Sequence, residues 1–183
     1  MAGQLRIIGG EWRGRRLAVG GAPGLRPTGD RTRETLFNWL APRIHGARCL
    51  DMFAGSGILG IEALSRGADR VDFLERTPSV ARHIDKQLTQ LGAHNGRVST
   101  LDALRWRATT PYDIVFVDPP FDALLASLAL EHLLDAALVV TDSRIYVEAR
   151  ASDDAPITDP RLEVLRDKKA GDVRYRLLEV TGG

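Results

Sequence analysis

The sequence predicts an α/β fold organised around a mostly parallel sheet. From Arg48 onward, short apolar runs alternate with helical patterns, which is typical of βαβ units. Towards the carboxyl terminus this order gives way to two segments that flank a turn-like DKKAGD sequence, which indicates a hairpin. The chain has 183 residues, 44% of them hydrophobic and 27% charged, which is enough for a compact domain with a sizeable core and excludes wholesale disorder.

Five apolar runs predict the strands that precede the hairpin. They cover residues 48–53, 70–75, 96–101, 112–117 and 144–149. The fourth run, YDIVFV, is the most apolar and is expected to be buried on both faces of the sheet. The hairpin strands are expected at residues 162–165 and 173–180, where apolar and arginine residues alternate in the second strand.

Three helices are expected to alternate with these strands. The first covers about residues 57–66 and ends at Gly67, a residue suited to the left-handed position after a helix. The second follows Thr77-Pro78, an N-cap and a proline at the first helical position, and its apolar stripe continues to Gly92. The third is rich in leucine and ends at about Ala137.

The first 45 residues have a different character, and we expect them to form a small extension to a domain at residues 46–183. The segments LRIIGG and EWRGRRLAV predict two short strands joined at a Gly-Gly turn, followed by a helix from Asp30 to Leu40. Residues 1–48 hold nine arginines against three acidic residues, a net charge of +6, whereas residues 49–183 carry −5. The total charge of +1 therefore hides two regions of opposite sign.

Arg31 and Arg33 lie in the opening turns of the helix expected from Asp30 to Leu40, where a positive charge opposes the helix dipole. Their position indicates that they bind a partner. A solvated helix face is the alternative interpretation. The arginines that we expect to contact nucleic acid are Arg6, Arg13, Arg15, Arg16, Arg26, Arg31 and Arg33.

Several classes of protein are excluded or disfavoured by composition. No apolar run reaches the length of about 18 to 20 residues that a membrane span needs, and the first residues lack the apolar core of a signal peptide. The single Cys49 cannot form an internal disulfide, so a reduced, cytoplasmic protein is expected. The four histidines are scattered without metal-binding spacing, so no metal site is expected.

A glycine-rich loop follows the first strand of the α/β region. Gly55, Gly57 and Gly60 form a GxGxxG pattern, and Glu75 lies at the end of the next strand, where a carboxylate can accept hydrogen bonds from ribose hydroxyls. This pattern fits a dinucleotide or S-adenosylmethionine, and an ordinary turn is the alternative. Asp51 at the strand end would repel a pyrophosphate but favour the ammonium and sulfonium groups of S-adenosylmethionine, so the methyl donor is preferred.

Two further strand ends carry candidate site residues. Asp102 follows the third strand, where it is placed to accept a hydrogen bond from an adenine amino group, although a solvated acid is the alternative. Asp118-Pro119-Pro120-Phe121 follows the fourth strand, and its two prolines make the segment stiff. The Asp118 carboxylate and the Pro119 carbonyl would hold the exocyclic amine of a base, and Phe121 would stack on the base. A strand-ending turn without chemistry is the alternative interpretation.

Taken together, these motifs resemble the RsmD family of bacterial 16S rRNA (guanine-N2)-methyltransferases. The resemblance covers almost the full chain and is carried by DMFAGSG, DPPF, RIIGGEWRGRRL and RPTGDRTRETLFNWL. DPPF is shared with DNA and protein amino-methyltransferases, so the two arginine-rich segments are the more distinctive.

The resemblance implies a Rossmann-like class I methyltransferase with a seven-stranded, mostly parallel sheet and an antiparallel last strand. It implies methylation of one guanine N2 amine, position 966, in the 16S rRNA of the small ribosomal subunit, with residues 1–45 binding RNA and residues 46–183 catalysing transfer. The expected catalytic residues are Asp118, Pro119, Pro120 and Phe121. The residues expected to contact S-adenosyl-L-methionine are Asp51, Phe53, Gly55, Gly57, Glu75, Asp102 and Ala103.

Three other functions stay open at this point. An NAD(P)-dependent oxidoreductase is disfavoured by Asp51 and leaves DPPF unexplained. A DNA adenine-N6 or cytosine-N4 methyltransferase would use the same chemistry, so DNA is left open as a substrate. A non-catalytic ribosome-assembly factor could retain the same fold. A monomer without membrane partners is expected in each case.

Overall fold

A computed structural model describes residues 4–18, 29–120, 123–152 and 156–182 of the chain. A small two-stranded sheet at the amino terminus is formed by β1 (Gln4–Arg6) and β2 (Arg16–Ala18), which pair antiparallel. The strands of the main sheet are β3 (Arg48–Asp51), β4 (Arg70–Glu75), β5 (Gly96–Thr100), β6 (Tyr112–Val117), β7 (Val139–Arg150), β8 (Leu162–Ala170) and β9 (Val173–Val180).

The main sheet has seven strands in the order β5-β4-β3-β6-β7-β9-β8. The first five of these are parallel to their neighbours, and β9 runs antiparallel to both β7 and β8. A mostly parallel seven-stranded sheet with an antiparallel last strand is therefore confirmed.

In the described residues, four helices cover the two faces of the main sheet. They are α1 (Asp30–Leu40), α2 (Ile58–Ser65), α3 (Pro78–Leu91) and α4 (Ala123–Asp135). Apolar side chains of α1, α2 and α3 share one core cluster with alternate residues of the strands, such as Ile114 and Phe116 of β6. Side chains of α4 and of a 3₁₀ turn at Ala103–Arg105 form the second cluster with Val115 and Val117. This alternation explains why β6 is apolar from Ile114 to Val117.

The predicted helix boundaries are close to those observed because local signals determine them. Gly67 and Gly92 follow α2 and α3 with φ angles of +91° and +72°, the left-handed conformation expected after a helix. Pro78 begins α3 as expected, but the Thr77 side chain makes no capping hydrogen bond. Instead, the Glu75 carboxylate accepts a hydrogen bond of 2.7 Å from the Thr77 backbone N–H.

Two predicted turns differ from the structure. β8 continues through most of the DKKAGD sequence, and only Gly171 and Asp172 form the turn, because Ala170 still pairs with Val173. At the amino terminus, Gly9-Gly10 does not form the predicted tight turn between strands. A Cβ atom on Gly10 would lie 1.8 Å from the carbonyl oxygen of Ser65, so this glycine allows the segment to lie against the end of α2.

The strand predicted at 144–149 begins earlier, at Val139. The first half of this strand is partly exposed and carries polar residues, so the sequence there has no apolar run that would predict a strand. A register shift between Tyr112 and Ile114 accommodates it, and the Ser143 hydroxyl donates a 2.8 Å hydrogen bond to the Tyr112 carbonyl. The longer strand provides β7 with a firm attachment to β6, the strand that precedes the DPPF segment.

Candidate active site

Four acidic residues meet at the carboxyl edge of the main sheet. Asp51 ends β3 and Glu75 ends β4, while Asp102 follows β5 and Asp118 follows β6. These strands are adjacent and parallel, so their ends open into one crevice. The sequence prediction that these residues share an edge agrees with the sheet order.

The glycines of the loop after β3 and of the first turn of α2 have different steric roles. Gly55 and Gly57 have φ angles of +51° and +75°, a conformation that other residues rarely adopt. A Cβ atom on Gly60 would lie 2.2 Å from the ring of Phe73, so this glycine lets α2 pack against the sheet. The loop can therefore turn sharply at Gly55 and Gly57.

Asp51 lies beneath this loop and is 2% exposed. Its Oδ2 accepts a hydrogen bond of 3.0 Å from the backbone N–H of Gly60. Burial raises the pKa of Asp51 to about 7, the Gly60 hydrogen bond opposes that rise, and the negative charge of Glu75 adds to it. A cation bound near the loop would favour the ionised carboxylate.

The Glu75 carboxylate connects the glycine loop to the start of α3. Its Oε2 accepts a hydrogen bond of 3.1 Å from Gly55 N–H, and its Oε1 accepts from Thr77 N–H. Each carboxylate oxygen has a second lone pair, so the group can still accept hydrogen bonds from a diol. The backbone contacts hold the acceptor in a defined direction.

The remaining residues expected at the donor site follow β3 and β5, at the same edge of the sheet. Asp102 is exposed, and its Oδ1 accepts a 3.0 Å hydrogen bond from Leu104 N–H at the start of the 3₁₀ turn. Ala103 is buried in that turn, and Phe53 is half-buried against the second core cluster. The second carboxylate oxygen of the exposed Asp102 can thus accept a hydrogen bond from a ligand.

The segment after β6 begins with a half-buried Asp118, a buried Pro119 and an exposed Pro120. Phe121 lies outside the described residues, so its expected stacking role stays a prediction. Asp118 lies close enough to Tyr146 of β7 for its charge to raise the pKa of that buried phenol, after the larger effects of burial and of Glu148.

The arginines of the extension differ in exposure. Arg26 lies outside the described residues, and the exposed members of the set are Arg6, Arg13, Arg15, Arg16 and Arg31. Arg33 is instead completely buried, which corrects the expectation that it faces nucleic acid. Its guanidinium donates to Glu62 of α2 at 2.9 Å and to the Arg6 carbonyl at 3.0 Å, so this cation joins α1 to α2.

Glu62 is the most deeply buried acid that the sequence prediction missed. It is 0% exposed and accepts hydrogen bonds from Arg33, Arg66 and the Ile8 backbone N–H. Burial raises the pKa of Glu62, and these three partners oppose the rise. The signal was present in the sequence, because Glu62 is the single charged residue in the otherwise apolar helix ILGIEALS.

A second missed feature is the pair of Tyr146 and Glu148 at the end of β7. Both side chains are buried, and the Tyr146 hydroxyl donates a hydrogen bond of 2.8 Å to Glu148 Oε2. Glu148 closes the apolar sequence IYVE, as Asp51 and Glu75 close their own strands. The signal that could have found it is an acid at the carboxyl end of a parallel strand.

Two kinds of feature are absent from the described part of the chain. Among these residues there is no group of three or more His, Cys, Asp or Glu side chains that could hold a metal ion. No helix within the described ranges is long and apolar enough to cross a membrane.

The sheet order, with β9 between β7 and β8, and the glycine loop at the end of β3 define a Rossmann-like class I methyltransferase fold. The family model described as "Conserved hypothetical protein 95" matches residues 5–179. The chain is 48% identical over 180 residues to ribosomal RNA small subunit methyltransferase D of Escherichia coli K12, covering 97% of this chain and 91% of that protein. The chain belongs to the RsmD family.

Other relatives agree with this assignment. A ribosomal RNA small subunit methyltransferase D from Haemophilus influenzae is 46% identical over 183 residues, covering 97% of this chain and 94% of the relative. The solved structure of the yhhF protein of Escherichia coli superimposes with a TM-score of 0.91 at 44% identity, covering 99% of this chain and all of the other. The similarity therefore extends over the extension as well as the sheet.

Proposed function

We propose that this protein transfers a methyl group from S-adenosylmethionine to the exocyclic N2 amine of a guanine in small-subunit rRNA. The family membership supports methylation of rRNA, since relatives over the same length carry that name. The observation that carries the chemical part is the adjacency of two strand ends. Asp118 leaves β6 directly beside β3, which ends at Asp51 and the glycine loop.

The residues at the β3 and β4 ends fit this donor. Gly55 and Gly57 carry no side chain and so permit close approach of a ligand to the backbone, and the buried Asp51 favours a cation over a pyrophosphate. We propose that Asp51 balances the positive charge of the donor, Glu75 accepts from its ribose hydroxyls and Asp102 accepts from its adenine amino group. Phe53, Gly55, Gly57 and Ala103 would line the same site. When bound, S-adenosylmethionine supplies an electrophilic methyl group on a sulfonium.

The DPPF segment would hold the amine that receives the methyl group. An exocyclic amine is a weak nucleophile because its lone pair is delocalised into the ring. If the Asp118 carboxylate and the Pro119 carbonyl each accept one N–H, the nitrogen is held with its lone pair directed away from both acceptors. Asp118 then also stabilises the positive charge that develops on nitrogen and lies next to the proton that the amine must lose. Pro120 keeps the segment stiff, and Phe121 would stack on the base.

The exposed arginines would contact RNA phosphates at a distance from the reacting base. Arg15 donates to the carbonyl of Gln90 at the end of α3, and the backbone N–H groups of Glu11 and Trp12 bind Ser65 at the end of α2. These helix ends lie at the edge of the sheet opposite Asp118. Since α3 has 14 residues, the two edges are separated by about 20 Å. A large structured RNA would span that distance, whereas a free nucleotide would not.

In this proposal, residues 1–45 bind RNA and residues 46–183 catalyse methyl transfer. The two parts nevertheless share one hydrophobic core. The reason is that α1 of the extension contributes Leu36, Phe37 and Leu40 to the first core cluster. RNA bound to the extension would thus be held by a segment that packs directly on the catalytic sheet.

The proposed function is tested with small ribosomal subunits from a strain that lacks the enzyme. The protein is incubated with these subunits and labelled S-adenosylmethionine, and the modified base is mapped. Parallel reactions contain naked rRNA and duplex DNA. Label in a guanine N2 amine of the subunit supports the proposal, and the mapped position tests nucleotide 966. Preferential label in DNA would favour a DNA amino-methyltransferase, and no transfer to any substrate would favour an assembly factor. NAD binding without S-adenosylmethionine binding would overturn the donor assignment.

Replacing Asp118 with alanine gives a sharper test of the chemistry. A charge-assisted hydrogen bond contributes about 1.5 to 3 kcal/mol, so Asp118→Ala should slow transfer by at least about 10-fold to 100-fold. Binding of S-adenosylmethionine, measured by calorimetry, should be unchanged because Asp118 is proposed to contact only the base. Unchanged turnover would remove Asp118 from the mechanism.

A further inference from the structure

Glu148 of β7 is a buried acid that the proposed transfer step does not use. Strands β6 and β7 are parallel, and Val117 is paired with Val147, so Asp118 and Glu148 are the next residues along the two strands at the same edge. Neighbouring strands lie about 4.8 Å apart. Glu148 is therefore next to the residue proposed to hold the base amine.

Side-chain alternation places Glu148 on the face of the sheet that carries α1. Val117 and Val147 belong to the core cluster beneath α4, whereas Phe116 and Tyr146 belong to the cluster beneath α1. The hydrogen bond from the Tyr146 hydroxyl to Glu148 confirms that these two side chains, two residues apart, share one face. Asp118 follows Phe116 by two residues, so the same alternation places it on this face, and its charge adds to the raised pKa of Tyr146.

Tyr146 and its neighbours hold this carboxylate in place. Glu148 is 7% exposed and Tyr146 is 0% exposed, and the Tyr146 ring packs against Tyr175 of β9 at a centroid distance of 6.4 Å. Tyr175 is itself stacked on Trp39 of α1, with ring centroids 5.6 Å apart. These ring contacts hold the Tyr146 hydroxyl in a fixed position beside the Glu148 carboxylate.

A carboxylate beside Asp118 distinguishes between bases by hydrogen-bond polarity. An ionised carboxylate only accepts hydrogen bonds and has about four lone-pair positions, so it can accept from more than one donor at a time. Guanine presents two neighbouring donors, N1–H and the N2 amine. In adenine and cytosine, the amine lies instead beside an unprotonated ring nitrogen, which is an acceptor and would be repelled by a carboxylate.

We propose that Glu148 determines base specificity by accepting the N1–H of the target guanine while Asp118 holds its N2 amine, and that Tyr146 positions the Glu148 carboxylate. This inference rests on the proposed function, because it assumes that a base amine is held at Asp118. It explains why the site would select guanine over adenine and cytosine. The contacts proposed for Asp118 and the two prolines do not explain that selection.

The test compares guanine with 2-aminopurine, which carries the same amine beside a ring nitrogen that accepts. After the methylated nucleotide has been mapped, small-subunit rRNA with either base at that position is prepared by ligation and assembled into subunits. The wild-type protein should prefer guanine by at least about 100-fold in kcat/KM, because its acceptor-only site meets an acceptor in the analogue.

The Glu148→Gln variant should reverse part of this preference. Its amide oxygen can still accept from Tyr146, while its NH₂ group can donate to the ring nitrogen of 2-aminopurine. We expect transfer to guanine to fall about 10-fold to 100-fold and the ratio of guanine to 2-aminopurine to fall at least about 10-fold. The ratio is measured within one protein preparation, so a partly unfolded fraction affects both substrates equally.

Two control variants separate specificity from structure. Tyr146→Phe removes the hydroxyl but leaves the carboxylate, so it should slow transfer while keeping the preference for guanine. Glu148→Asp retains an acceptor-only group and should also keep the preference. An unchanged ratio in Glu148→Gln, with normal transfer by the wild-type protein, would overturn the role of Glu148 alone. If the wild-type protein transfers nothing to guanine, both this inference and the proposed function are overturned.

Discussion

The protonation of Asp51 leads to a prediction about pH and donor affinity. The pKa of this carboxyl is raised to about 7 in the free protein, mainly by burial. A cationic donor near Asp51 would stabilise the ionised form and lower that pKa, so binding should expel a proton. Affinity should therefore rise with pH up to about 7 and level off above it.

The size of the effect follows from the fraction of ionised Asp51. With a pKa of about 7, roughly 3% of the carboxyl is ionised at pH 5.5 and roughly half at pH 7.0. If only the ionised form binds S-adenosylmethionine well, its affinity should rise about 15-fold over that interval. The amine of the donor stays largely protonated in this range, since α-amino groups titrate near pH 7.7 to 8.0.

Calorimetry in buffers of different ionisation enthalpy measures both the affinity and the number of protons released. The Asp51→Asn variant keeps an oxygen for the Gly60 N–H but cannot ionise, so its affinity should vary little between pH 5.5 and 7.0. 5′-Methylthioadenosine is the matched ligand control because it lacks both the ammonium and the sulfonium. A wild-type affinity that is flat over this range, or one that rises equally for 5′-methylthioadenosine, would refute the coupling.

Two further predictions concern the arginines of the extension. Arg33→Ala should lower the free energy of unfolding by about 3 to 5 kcal/mol, because it leaves the Glu62 carboxylate buried without its main cation. Chemical denaturation measures this loss. Replacing the arginines of the hairpin loop and β2 with alanine should instead weaken binding to rRNA and flatten its salt dependence by up to about 0.9 log unit per lost phosphate contact on duplexes, or about 0.7 on single strands. The residues replaced in that variant are Arg13, Arg15 and Arg16.

These two predictions serve as controls for each other. The exposed arginines should leave the unfolding free energy nearly unchanged, while Arg33→Ala should affect RNA binding only through the folded fraction. A stable Arg33→Ala protein with a reduced salt slope would restore the RNA role originally expected for Arg33. An unchanged slope in the triple variant would show that the hairpin does not contact phosphates.

Local sequence patterns were sufficient for most of the fold. Alternating runs predicted the parallel strands, and residues such as Gly67 and Gly92 predicted helix ends, because these signals act within a few residues. The edge that gathers Asp51, Glu75 and Asp118 was also predictable. Parallel strands joined by helices must all end on one side, so an acid at each strand end reaches the same crevice.

The fate of individual charged residues depended on tertiary packing. Arg33 and Arg31 are close in sequence and chemically identical, yet one is buried against Glu62 and the other is exposed. The difference arises because Glu62 of α2, the partner of Arg33, lies 29 residues further along the chain. A pattern of neighbouring residues carries no information about so distant a contact. The Gly9-Gly10 pair is a similar case. Glycine is required at position 10 because the carbonyl oxygen of Ser65, a residue distant in the sequence, packs against it.

The sequence by itself determined the fold class, the glycine loop and the carboxylates at the strand ends, because each depends on residue type and short-range spacing. The tertiary structure decided which charges are internal, where the hairpin arginines lie relative to Asp118, and that Glu148 stands beside that residue. Those relations depend on strand order and register between segments far apart in the chain. Burial then changes the chemistry, as the raised pKa of Asp51 illustrates, because the energy of a charge depends on its surroundings.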